Sequence, residues 1–174
     1  MPGTSTWVGK EQIKQYLLPT LHPNDKICDM GAGGGMYYGL LGKEYDWTAV
    51  EIWHDSVLEL KKMYNHVYEA DIRNFEYPEY YDLIIFGDVI EHLTAEDAIV
   101  CVKKAKENGK AIMIAVPYCF PQDAIYGNEA ERHLQVDLTP EIFDERYPGF
   151  ERVFEHSGYA YYYWHKDDVD TSSM

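Results

Sequence analysis

Positive charge is what this sequence has least of. Its 174 residues carry 15 Lys and Arg against 30 Asp and Glu, a formal charge of −15. So acidic a chain repels phosphate backbones and anionic headgroups, which excludes nucleic acid and membrane surfaces as partners unless a local basic face is built. Lysines cluster at Lys61-Lys62 and at Lys103, Lys104 and Lys106, but both groups fall in helical patterns and read as solvated helix faces. Cysteine is scarce too. Cys28, Cys101 and Cys119 are odd in number and include no C-x-x-C pair. Neither a disulfide framework nor a cysteine-rich zinc site is expected, and a reducing cytoplasm is the expected compartment. No apolar run approaches the roughly 18 residues of a membrane span, and the opening MPGTSTWVGKEQ holds no signal-peptide core.

What is present is a patterned, core-forming chain. Hydrophobic residues make up 46%, which excludes general disorder. The length suits one domain, 1–174, with its core over about 26–166 and a frayed tail over 167–174. Short apolar strands alternate with helical stretches. Strands are expected at Ile27–Met30, Trp47–Trp53, His66–Ala70, Tyr81–Phe86 and Ala111–Val116, the last two apolar enough for central parallel strands. Helices are expected over Lys10–Leu18, after an Asp55 cap with Val57, Leu60 and Tyr64 on one face, from Thr94 to an Asn108-Gly109 stop, and from Thr139-Pro140. Phe150–Ser157 and Tyr159–Lys166 lie too close for a crossover and read as an antiparallel hairpin. The sum is a three-layer α/β domain with seven strands, mostly parallel.

The chemistry is carried by Asp29-Met30-Gly31-Ala32-Gly33-Gly34-Gly35, directly after the first strand. Glycines here allow positive φ and close approach of a ligand to backbone, beside a helix N-terminus with free N–H groups. The dinucleotide fingerprint G-x-G-x-x-G fails in both registers, at Met36 and at Tyr38. The spacing that fits is D-x-G-x-G-x-G.

With that spacing the sequence resembles the class I S-adenosylmethionine-dependent methyltransferases over about 26–166. Phe86-Gly87-Asp88-Val89-Ile90-Glu91-His92-Leu93 is similar to the "EVLEH" segment of the small-molecule branch that includes the ubiquinone-pathway O-methyltransferases. The resemblance implies a Rossmann-like seven-stranded methyltransferase sheet with a C-terminal antiparallel hairpin. It implies S-adenosylmethionine as cofactor and S-adenosylhomocysteine as product. Cofactor contacts would come from Asp29 (methionyl ammonium), Gly31, Gly33, Gly35, Glu51 (ribose hydroxyls), Ile52, Asp71 (adenine amino group), Ile72 and Asp88. Trp7 and Trp53 are candidate faces for the sulfonium, though either also suits plain core.

The implied reaction is in-line displacement at the methyl carbon, with alignment as a main source of rate. A hydroxyl acceptor needs a base, and neutral His serves near pH 7. His92, after strand four, and His133, in the long 117–138 connection, are the expected catalytic residues. Asp88, Glu91, His92 and His133 together resemble the carboxylate–histidine metal site of small-RNA 3′-end methyltransferases, with Asp88 where those carry glutamate. A divalent metal is possible on that basis but not favoured.

The acceptor is expected to be a small molecule. The [DNS]-P-P-[YFW] motif of nucleic-acid amino-methylating enzymes is replaced by Gly87-Asp88-Val89-Ile90. Tyr37, Tyr118, Phe120, Tyr126 and His133 are the candidate pocket lining. Three alternatives stay open: a metal-assisted RNA 3′-end-type enzyme, a catalytically silent cofactor-binding module, and a nicotinamide oxidoreductase, which the missing third glycine and Asp29 disfavour. A monomer or homodimer is expected.

Overall fold

The computed structural model describes residues 6–168. All seven expected strands form: β1 Lys26–Met30, β2 Asp46–Glu51, β3 His66–Glu69, β4 Tyr81–Gly87, β5 Gly109–Pro117, β6 Glu151–His156 and β7 Tyr159–His165. They make one sheet in the order β3-β2-β1-β4-β5-β7-β6. The first five are parallel, and β7 runs antiparallel to both β5 and β6. The Ser157-Gly158 turn of the β6–β7 hairpin has φ of 52° and 76°, the double positive φ that matches strand twist.

Period two along the strands builds the layers. In β5, Ala111, Met113 and Ala115 face one side, with α1 (Lys10–Leu17), α2 (Met36–Leu41) and α3 (His54–Leu60). Ile112, Ile114 and Val116 face the other, with α4 (Ala95–Asn108) and α5 (Pro140–Arg146). In α4 the buried residues Ala98, Cys101, Val102 and Ala105 keep the i, i+3, i+4, i+7 spacing of a helix laid on a sheet.

Several boundaries differ from the sequence reading, β2 among them, which ends at Glu51 and not at Trp53. The N-cap of α3 is Trp53, so Asp55 sits inside the first turn, and Tyr64 lies beyond the helix end. The chain leaves β2 at Glu51, which fixes where α3 begins. Asn108 ends α4, but Gly109 is extended (φ −140°) and opens β5. A Cβ at Gly109 would lie 2.8 Å from Ile84 Cδ1, so close packing rather than left-handed backbone selects glycine. Of the expected frayed tail, 166–168 are helical and 169–174 lie outside the described residues.

The caps at Thr94 and Thr139 hold as expected: their hydroxyls accept from Asp97 N (3.1 Å) and Ile142 N (3.2 Å). The Asp97 carboxylate itself faces Arg73 at 3.6 Å. Thr94→Ala should cost about 1 kcal/mol in denaturant unfolding, with an unchanged m-value.

Candidate active site

Strand order reverses between β1 and β4, and at their carboxyl ends a crevice opens. It is a cavity of about 1120 Å3, larger than a typical site for one small ligand. The glycine loop forms one wall. Gly31, Gly33 and Gly35 have φ of 69°, 55° and 81°, as their spacing predicts. At Gly31 space is limiting as well, since a Cβ would lie 2.5 Å from Val89 Cγ2.

Glu51 ends β2 and locks the loop. Its Oε2 accepts from Gly33 N at 2.7 Å and its Oε1 from Trp53 N at 2.9 Å. A carboxylate has about four lone-pair sites, so both oxygens keep capacity toward the cavity. Asp29, at 1% exposure, accepts from Tyr64 OH at 2.6 Å. Burial, reinforced by the Glu51 charge, pushes its carboxyl up to about 7 against the Tyr64 bond and the Lys10 charge.

Ile52 and Ile72 both line the cavity, the first half exposed and the second packed on the core. Asp71 lines it too, but its carboxylate already carries Arg73, with Nη2 to Oδ2 at 2.6 Å, which holds it below its usual range. Asp88 has φ 55° and accepts from Tyr159 OH at 2.5 Å.

Past β4 the acceptor side begins. The 117–138 segment is tied to the η-turn Ile90–His92: Leu134 N and Gln135 N donate to Glu91 O, and Gln135 Nε2 donates to Ile90 O at 2.7 Å. These bonds bring His133 against His92, ring centroids 4.7 Å apart and edge to face. Each ring meets a carbonyl through Nδ1: His92 at Arg132 O (3.3 Å) and His133 at Phe120 O (2.7 Å). A neutral ring donating from Nδ1 has its acceptor at Nε2. Burial, and then the neighbouring His133, lower His92 to about 4, so it is neutral at physiological pH. Glu91 lies beside the pair, 1% exposed, with no hydrogen-bond partner on Oε2. Burial and the Asp88 charge hold its carboxyl well above the ordinary range.

The structure therefore gathers Asp29, the three glycines, Glu51, Ile52, Asp71, Ile72, Asp88, His92 and His133 around one cavity. Of the four residues read as a metal set, ligand atoms of Glu91, His92 and His133 lie within 4.8 Å of one another, and Asp88 is not in that group. The tryptophans are a correction. Trp7 is 73% exposed on a small separate groove, and Trp53 does not line the cavity. Of the expected acceptor lining, Tyr37, Phe120 and His133 are in place. Tyr118 is instead paired with Tyr162, and Tyr126 is 84% exposed. Among the described residues, the aromatic rings lining the cavity are Tyr37, Phe120 and Tyr159, besides the two imidazoles.

Sequence reasoning missed Tyr64, Gln135 and Lys10. The last had a readable signal: Lys10, Ile13 and Leu17 share one helix face, and all three are buried. Its ammonium donates to Tyr161 OH (2.9 Å) and Tyr37 OH (3.2 Å), and three tyrosine rings surround it at 5.0–5.4 Å.

No protein-family model matches the chain, and no curated protein matches it in sequence. Solved structures do. An S-adenosylmethionine-dependent methyltransferase from Clostridium acetobutylicum ATCC 824 is similar with a TM-score of 0.67 and 12% identity, over 88% of this chain and 89% of that one. The N-terminal domain of EvdMO1, with S-adenosylhomocysteine bound, gives 0.68 and 12% over 92% and 82%. The N-methyltransferase NodS from Bradyrhizobium japonicum WM9 gives 0.64 and 11% over 90% and 95%. The fold is thus that of the S-adenosylmethionine-dependent methyltransferases, a seven-stranded α/β sheet ending in an antiparallel hairpin.

Proposed function

We propose that this chain is an S-adenosylmethionine-dependent methyltransferase that modifies a small molecule at oxygen or nitrogen. The observation that supports it best is one continuous cavity running from the glycine loop and Glu51 to His92 and His133. The residues present fit the cofactor. Gly33 and Gly34 turn bare backbone to the cavity, since a Cβ on either would meet no atom within 4 Å. Glu51 offers remaining lone pairs to paired hydroxyls, Ile52 and Ile72 offer apolar walls to a flat ring, and Asp29 offers a carboxylate to an ammonium. Bound there, S-adenosylmethionine supplies an electrophilic methyl group on a cationic sulfur.

The protein's own part is to align, desolvate and manage a proton. Thr6 and Val8 before α1, and Phe120, Gln122 and Leu134 of the 117–138 segment, line the cavity, so a bound acceptor would displace water against them. His92 and His133 present Nε2 to the proton-bearing atom of the acceptor, held in register by their Nδ1 contacts. Among the described residues no helix is long and apolar enough to cross a membrane. We place the enzyme, as one domain and as a monomer or homodimer, in the cytoplasm.

Calorimetric titration with S-adenosylmethionine and S-adenosylhomocysteine, with NADH as control, tests the reading. Binding of both adenosyl ligands and not NADH is expected, and Glu51→Gln should weaken it about 10–100-fold through loss of charge-assisted bonds. A wild-type protein that binds neither adenosyl ligand would sink the proposal.

A further inference from the structure

The acceptor half of the cavity is acidic. Asp88, Glu91, Glu129 and Glu131 line it with His92 and His133, while the one arginine of the lining, Arg73, sits at the opposite end on Asp71. An anionic acceptor would meet this lining with like charge. Within the same half, Glu91, His92 and His133 each bring one ring nitrogen or carboxylate oxygen to within 4.8 Å of the other two. Glu91 Oε2 is buried without a donor, and an imidazole that is neutral and donates to its carbonyl through Nδ1 offers Nε2 as an acceptor. Buried acceptors require donors. A hydroxyl brings one and a carboxylate none, whereas an ammonium brings three, with the charge the lining complements.

We propose, on the methyltransferase reading above, that the acceptor is a small-molecule amine, docked as its ammonium on Glu91, His92 and His133 and methylated at that nitrogen. The docked ammonium charge ionises Glu91, whose own proton leaves to solvent. One N–H proton then passes to that carboxylate, and the amine pivots on its two imidazole bonds so that its lone pair faces the methyl group. The freed nitrogen lone pair forms the C–N bond as the C–S bond of the sulfonium breaks, and sulfur keeps that electron pair as the thioether of S-adenosylhomocysteine. The product leaves as a methylammonium, and the proton on Glu91 returns to solvent.

The test uses S-adenosylmethionine carrying a 13C methyl group and a small-molecule extract of the source cells, split by ion exchange into cationic, neutral and anionic fractions. Two-dimensional NMR of the new methyl reports the atom that bears it. The expected result is an N-methyl in the cationic fraction. The near-isosteric Glu91→Gln should reduce incorporation by about 100-fold or more, with S-adenosylhomocysteine affinity within about threefold of the parent. A methyl on oxygen, sulfur or carbon, or in the neutral or anionic fraction, overturns the amine and leaves the transferase. Transfer that stops with EDTA and returns with Mn2+ also overturns it, because a metal would then occupy the three atoms. Calorimetric binding of S-adenosylmethionine with no transfer into any fraction overturns both readings, and no binding removes the cofactor itself.

Discussion

Asp29→Asn is expected to be more stable than the parent at pH 7.5 and to bind S-adenosylmethionine more weakly. Burial holds the Asp29 carboxyl at about 7 from an ordinary 3.8. The folded state therefore binds a proton that the unfolded state has already lost across that window. Stability falls as pH rises from about 4, and the loss is complete above about 7, reaching an upper bound of roughly 4 kcal/mol. Asparagine removes the dependence while keeping an acceptor for Tyr64 OH, now at 2.6 Å from Oδ2. Equilibrium unfolding should show Asp29→Asn ahead by about 2–4 kcal/mol at pH 7.5 and level with the parent near pH 3.5. Binding runs the other way. A ligand ammonium pairs with the ionised form, so parent affinity should rise as pH passes through 7, and the asparagine variant should bind about 10–100-fold more weakly with no such rise. Equal stability at pH 7.5, or unchanged affinity, would remove Asp29 from the role.

Where local chemistry decides, the sequence was legible. Glycines at positions 31, 33 and 35 needed only their spacing to be read as left-handed backbone, and all three are. Glu51 was placed through the family resemblance, within a strand expected over Trp47–Trp53, and the strand ends at it. The period-two alternation of β5 and β7 sorts the two core faces without any long-range information. Residues that depend on distant partners were less legible. Tyr64 reaches Asp29 across 35 positions, and nothing in its surroundings marks a hydroxyl that ends beside a carboxylate. His92 and His133 were each suspected from a strand end and an overlong loop, yet their contact depends on Gln135 binding Ile90 O, 45 positions away. Trp7 and Trp53 failed for a related reason. Aromatic character suits a cation, but the direction a side chain takes where a strand or helix begins is set by its neighbours, and these two turn elsewhere.

Lys10 separates packing from charge, and its two substitutions should behave differently. Among the described residues it is the only buried Lys or Arg, and desolvation lowers its pKa against the pull of Asp88, Glu91 and Asp29. Lys10→Ala leaves a void among Tyr37, Tyr159 and Tyr161 and strips two hydroxyls of a donor, so it should cost about 3–5 kcal/mol. Lys10→Met refills the space with an unbranched apolar chain and no longer buries a charge. Its stability should fall by less than that of the alanine variant, about 1–3 kcal/mol, since the void is filled while both hydroxyls still lose a donor and the buried carboxylates a cation. The lost charge is felt in ligand binding as well. Lys10 draws the Asp29 carboxyl down, so in Lys10→Met the midpoint for ligand binding should move above 7, by about 1 pH unit or less. A structural lysine alone would leave that midpoint in place. A Met variant with a parental pH profile would show that the tyrosine cage holds α1 to the sheet and does nothing for the carboxylates beneath it.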